Sequence, residues 1–165
     1  MKITTVIFDW GDTIMRDFRL AGPMKNWDRV EMIPGAAEML EKINPFYTIC
    51  IATSANHSGT TDMIEALRRV GIDKVFHHFF ASDDLGASKP DPAFFKAIVK
   101  KLGKYPGNCL AVGNLYQKDV VPAKKAGLKT VFFNEFDESG YYPEADHVIR
   151  HLGEMIRVLE AYEKT

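Results

Sequence analysis

Four short polar clusters carry groups that can do chemistry, and each follows or precedes a regular apolar pattern. They are Asp9-Trp10-Gly11-Asp12-Thr13, Thr53-Ser54-Ala55-Asn56, Ser88-Lys89-Pro90-Asp91-Pro92, and Gly113-Asn114 with Asp119 five residues beyond. Together they supply carboxylates, hydroxyls, a lysine and an amide. A carboxylate can attack phosphorus and carry a covalent aspartyl intermediate. A hydroxyl and a lysine can neutralise the phosphoryl oxygens of the transition state. Carboxylate and amide oxygens suit Mg2+, a hard cation. Charge stabilisation and in-line positioning are most of what phosphoryl transfer requires of a protein.

The chemistry is coherent only if these clusters meet, so the elements between them matter. Apolar runs predict strands over residues 3–8, 47–52, 75–80, 109–112, 130–133 and 147–149. Helical spacing predicts helices over 36–43, 60–70, from Pro92 to Leu102, 119–126 and 152–162. Gly71 and Gly127 act as stops, and Pro122 must lie in the first turn of its helix, because an interior proline costs about 3 kcal/mol. Strand–helix alternation with continuously apolar strands predicts a three-layer α/β sandwich, a central, mostly parallel Rossmann-like sheet covered on both faces. Ligands of such sheets bind at the carboxyl ends of the strands, where all four clusters are expected.

The chain of 165 residues fits one domain, with 46% hydrophobic and 26% charged residues. Its 21 basic and 22 acidic residues leave no electrostatic footprint for nucleic acid or an anionic membrane. No apolar run approaches the roughly 20 residues of a membrane span. Cys50 and Cys109 lie in strand-like runs and read as buried thiols of a reduced, cytoplasmic protein, with no zinc spacing and no secretory leader.

The ordered clusters resemble the haloacid dehalogenase superfamily, most of whose members are phosphatases. Val6 through Ile14 is similar to its first motif, Thr53 to the second, Lys89-Pro90-Asp91-Pro92 to the third, and Val112-Gly113-Asn114 through Asp119 to the fourth. The resemblance runs from residue 3 to about 133, and 146–159 also fits. It implies a Mg2+-dependent phosphatase acting on a phosphorylated substrate, with Asp9 as nucleophile. The catalytic candidates are then Asp9, Gly11, Asp12, Thr53 and Lys89. Thr53, Ser54, Lys89 and Trp10 would contact substrate or its phosphate, and Asp9, Gly11, Asn114 and Asp119 would surround the metal.

Two positions depart from the family pattern. Gly11 stands where a second Asp usually serves as general acid and base, and Asp12 comes one residue late. Asn114 replaces the first acid of the fourth motif, which removes one negative charge from the metal site. General acid catalysis is typically worth about 10²–10⁴-fold. One reading is therefore a phosphatase in which Asp12 or a good leaving group makes up the loss. Another is a degenerate phosphate- or metal-binding module of the same fold. A receiver-type signalling domain fits less well, since its phosphorylated Asp follows the third strand.

Other residues have two readings each. Trp10 walls the substrate or packs in the core. Tyr116 borders the site or lies on the surface. His57 is an acid or base, or an exposed loop residue. Asp83 and Asp84 add charge near the metal or face solvent, and His77-His78 point to opposite faces of a strand. The interval between Thr13 and Thr53, about 40 residues, leaves no room for a cap domain. Residues 14–33 are a short insert expected to act as a partial lid, a subunit contact of a homo-oligomer, or a loop packed on the core.

Overall fold

The computed structural model describes residues 2–55 and 59–164. Six strands form one sheet: β1 (Thr5–Phe8), β2 (Thr48–Thr53), β3 (His78–Ala81), β4 (Cys109–Gly113), β5 (Lys129–Phe133) and β6 (His147–Ile149), in the order β3-β2-β1-β4-β5-β6. Every pairing is parallel. The order runs outward in both directions from β1 and β4, which makes the gap beyond their carboxyl ends the switch point of the sheet.

Side chains alternate along each strand and feed two cores. Val6 and Phe8, Ile49 and Ile51, and Leu110 and Val112 face one side. There they meet α1 (Ala36–Ile43), α2 (Thr60–Arg69) and α6 (Met155–Glu163) through Met39, Leu40, Met63, Leu67, Met155 and Leu159. Ile7, Cys50, Ala52, Cys109 and Ala111 face the other side and meet Phe94, Phe95 and Ile98 of α4 (Ala93–Leu102) and Ala123 of α5 (Val121–Lys125). This is the three-layer sandwich predicted from the continuously apolar strands.

Several local details differ from the sequence reading: the strand expected over 75–80 begins only at His78, because Asp73–Val75 form a 3-10 turn. Asp83 and Asp84 are exposed to solvent, as one of their two readings had it, but sit in a short helix, α3 (Ser82–Leu85), rather than a loop. The Asp84 carboxylate caps it, accepting from the Ala81 N–H at 3.0 Å and from the Thr60 hydroxyl at 2.9 Å. Four residues are too short to show helical periodicity. The helix expected over 119–126 is divided: a π-helical turn over Tyr116–Val120 leads into α5, where Pro122 sits in the first turn as its missing N–H demands. A 3-10 turn, Leu152–Glu154, precedes α6.

Residues 14–33 leave the sheet but stay fastened to it. Met15 bridges Gly11 on one side and Met32 on the other. The Ile33 N–H donates to the Ile14 carbonyl at 2.8 Å, and Arg16 N–H to the Glu31 carbonyl at 2.8 Å, so the two ends run together as a ribbon. Ile14, Met15, Met24, Trp27 and Ile33 are buried in the first core. The Trp27 indole donates to the carbonyls of Ala21 and Gly22, which closes the tip on itself. The Arg69 guanidinium of α2 donates to the carbonyls of Lys25 and Trp27, and Lys25 pairs with Asp62 and Glu65 of α2.

Candidate active site

Asp9 continues the line of β1, its N–H donating to the Val112 carbonyl of β4 at 2.9 Å, and its carboxylate stands over the switch point. Lys89 arrives from the turn before α4, where Asp91 N–H donates to the Ser88 carbonyl and the Asp91 carboxylate accepts from Ala93 N–H. The Lys89 ammonium lies 2.7 Å from Asp9 Oδ1 and 2.8 Å from Asp119 Oδ1, and reaches the Ala52 carbonyl at the end of β2 at 3.4 Å. Three motif residues far apart in sequence thus share one ion triad.

That triad is shielded from water. The side chains of Lys89, Asp119 and Asp9 are 3%, 4% and 13% exposed. Burial alone would discharge the lysine, but the Asp119 and Asp9 carboxylates outweigh it and raise its pKa, so it stays charged. Burial, joined by the charge of Asp9, pushes Asp119 up to about 6 against the pull of Lys89 and of the Leu115 N–H. A fixed cation beside the Asp9 carboxylate can neutralise charge that grows on phosphorus-bound oxygens.

The second oxygen of Asp9 faces a different set. The buried Thr13 hydroxyl lies 3.2 Å from Asp9 Oδ2. The Asn114 amide, at the end of β4, approaches Asp9 Oδ2 at 3.0 Å and the Gly11 carbonyl at 3.2 Å. With its nitrogen turned inward the amide donates to both. With its oxygen turned inward, Asn114, Asp9 and the Gly11 carbonyl present three oxygens to one point, a donor set for a hard cation. Among the described residues no group of three or more His, Cys, Asp or Glu side chains forms a metal cage.

Thr53, 2% exposed, ends β2 with its hydroxyl accepting from the Ala55 N–H at 3.1 Å, which shapes the turn after the strand. The neighbouring Ser54 hydroxyl is buried and has no hydrogen-bond partner among the described residues. His57 and Asn56 lie outside the described residues. Trp10 is 3% exposed and packs in the first core, yet it also lines a cleft of about 470 Å³ with Gly11, Asp17, Arg19, Met24 and Ala55. Core packing thus holds, and the cleft face leaves Trp10 as a candidate wall for a substrate.

Asp12 adopts a left-handed backbone (φ 56°), a conformation Asp tolerates better than most residues. Its carboxylate accepts from the Asp17 N–H at 3.0 Å and from Arg16 at 3.4 Å. Arg16 in turn grips Glu135, after β5, through two hydrogen bonds of 2.9 and 2.6 Å. Neither Arg16 nor Glu135 belongs to a motif; their 119-residue separation gave no sequence signal. Tyr116 packs on Phe132 and Tyr142 and accepts from Glu144 N–H, which occupies it structurally. His77 Nδ1 accepts from Ile49 N–H, and His78 stacks on Phe80.

The comparisons agree with this geometry. Residues 4–127 match the model of the haloacid dehalogenase-like hydrolases. A glyceraldehyde 3-phosphate phosphatase from Pyrococcus furiosus is 33% identical over 134 residues, covering 78% of this chain and 54% of that protein. A ribulose-1,5-bisphosphate 5-phosphatase from Halopiger xanaduensis is 27% identical over 137 residues, 78% of this chain and 56% of that one. The chain thus spans about half the length of these curated relatives. The crystal structure of a phosphatase of this family from Thermococcus onnurineus superposes with a TM-score of 0.79 at 23% identity, covering 95% of this chain and 98% of that one, which shows a common fold. Sheet order, motif placement and family match together make this chain a member of the haloacid dehalogenase-like hydrolase family.

Proposed function

We propose that this protein is a Mg2+-dependent phosphatase that hydrolyses a phosphoric monoester through an aspartyl-phosphate on Asp9. The observation that carries the reading is the buried Lys89 ammonium on Asp9 Oδ1, at the switch point of the sheet. Lys89 holds the Asp9 carboxylate in one orientation and supplies positive charge where phosphoryl oxygens must sit. The Thr53 hydroxyl and the Ser54 hydroxyl, which has no partner among the described residues, are further candidate donors to the same phosphate. Asp119 keeps the lysine ionised and in place.

Asp9, Asn114 and the Gly11 carbonyl fit a Mg2+ ion, with Asp119 close behind through Lys89. When bound, the ion would neutralise phosphoryl charge and help orient the ester. The residues 17–27 form the outer wall of the cleft next to Gly11, and we assign them the role of a partial lid over an otherwise open site. The named activities of the relatives suggest small phosphorylated sugars as substrates. Two buried free thiols, their pKa values raised to about 12 for Cys50 and about 11 for Cys109 chiefly by burial, suit a reducing, cytoplasmic setting. Among the described residues no helix is long and apolar enough to cross a membrane.

The test is hydrolysis of p-nitrophenyl phosphate with Mg2+ and with chelator, beside Asp9→Asn. Metal-dependent release abolished in the variant is the expected result. Release equal in the two proteins would remove Asp9 from the reaction.

A further inference from the structure

The family's acid–base position is vacant at Gly11, and the space its side chain would enter is occupied. A Cβ built on Gly11 would stand 3.5 Å from the Cβ of Asp17 and 3.6 Å from its Oδ2. The Gly11 backbone does not itself demand glycine, since its φ lies outside the left-handed region and the contacts of such a Cβ are of ordinary van der Waals length. What a longer side chain at 11 would displace is the Asp17 carboxylate. The missing group and the intruding one are therefore two halves of a single exchange. We propose that Asp17 is the general acid and base of this enzyme, delivered from the ribbon rather than from the strand-end turn.

Three further features support the assignment, which rests on the phosphatase reading above. First, Asp17 is held. Its N–H donates to Asp12 Oδ1 at 3.0 Å, and its own Oδ1 accepts from the Arg19 N–H at 2.8 Å. Second, Oδ2 makes no hydrogen bond or ion pair among the described residues and is the oxygen nearest Gly11, so it is the one open to a bound ester. Third, Asp17 lines the cleft together with Trp10, Gly11 and Ala55, the residues that flank the strand ends bearing Asp9 and Thr53. Asp12 has its Oδ1 committed to the Asp17 N–H and to Arg16, and unlike Asp17 it is neither among the cleft-lining residues nor among the atoms nearest a Cβ at Gly11. It serves as a positioning residue for Asp17.

The chemistry balances as follows. An Asp9 oxygen attacks phosphorus as the bond to the leaving oxygen breaks, and the Asp17 carboxylic proton passes to that oxygen, releasing an alcohol. Water then attacks phosphorus, its proton returns to the Asp17 carboxylate, and the bond to Asp9 breaks to release inorganic phosphate. An ester whose leaving group is already a stable anion does not need the first proton transfer.

Leaving-group dependence is therefore the test. Wild type, Asp17→Asn and Asp17→Ala are compared on glycerol phosphate and on dinitrophenyl phosphate, the latter read as the first, stoichiometric release of dinitrophenolate. Both variants should lose about 10²–10⁴-fold on glycerol phosphate, the usual worth of a general acid, while the dinitrophenolate burst stays within a few-fold. Equal losses on the two esters would mean that Asp17 only supports the loop, and no loss on either would mean that it does nothing; each overturns the proposal while leaving the phosphatase reading intact. Wild type no faster than Asp9→Asn on both esters would overturn the phosphatase reading itself, and this inference with it.

Discussion

Gly113 lies flat against the side chain of Asp119: a Cβ at position 113 would stand 2.3 Å from the Asp119 Cβ and 2.5 Å from its Oδ2. No rotamer adjustment of a short, buried carboxylate relieves such an overlap without moving it from Lys89. Gly113→Ala should therefore misplace the ion triad as well as overpack the site. We expect a stability loss of about 1–3 kcal/mol in urea unfolding, the usual range for overpacking, and a fall in turnover larger than that loss explains. An alanine variant with normal turnover would show that the triad tolerates the displacement.

Lys89 neutralises two carboxylates that would otherwise face each other in a dry pocket. Removing one partner of a buried ion pair costs about 3–5 kcal/mol, because the remaining charge is left unpaired. Lys89→Met should thus lower the urea midpoint sharply and abolish turnover, and Lys89→Met/Asp119→Asn should recover part of the stability but none of the activity. Additive losses in the double variant would argue against a coupled triad.

The Arg16–Glu135 pair ties the turn after β1 to the loop after β5. The pair is bidentate but keeps some contact with solvent (23% and 20% exposed), and Glu135→Gln keeps its shape, so the stability loss should be about 1 kcal/mol. Its effect on function should be larger, since Arg16 also touches Asp12, on which Asp17 hangs. Glu135→Gln is expected to leave the melting temperature within a few degrees while lowering kcat on poor leaving groups several-fold. Steady-state kinetics beside calorimetry checks this.

Asp146 provides a pH signature away from the active site. Burial alone would raise its pKa, but the Lys124 ammonium at 2.6 Å and the Thr130 N–H at 2.9 Å outweigh it and hold it below its ordinary value. A carboxylate depressed in the folded state favours folding above its unfolded pKa, about 3.9, and that contribution fades as pH falls through the folded value. The wild-type midpoint should therefore decline below about pH 4 more steeply than that of Asp146→Asn. Parallel profiles would remove Asp146 from the acid response.

The fold was legible because its signals are long and repeated. The runs at 109–112 and 130–133 became β4 and β5 almost to the residue, and Pro122 marked the first turn of α5. Asp9, Lys89 and Asp119 converge as the motif order implied, since a parallel sheet must bring its strand ends to one edge. What escaped the sequence lies in short or irregular chain. The Asp84-capped α3 has no period to detect. Arg16 meets Glu135 across most of the chain, and Asp17 reaches Gly11 only because the ribbon bends back at Met15. Such contacts depend on tertiary closure, which no local pattern encodes.

The ribbon also separates two structural demands. Its root, Ile14 with Ile33 and Met15 with Met32, is buried and paired, whereas Arg19 and Leu20 at its tip stand in solvent beside the cleft. Substitutions at the tip should leave the root undisturbed, and with it the turn that follows Asp9. The cleft therefore has one edge whose side-chain size and charge can vary at little cost to the packed core.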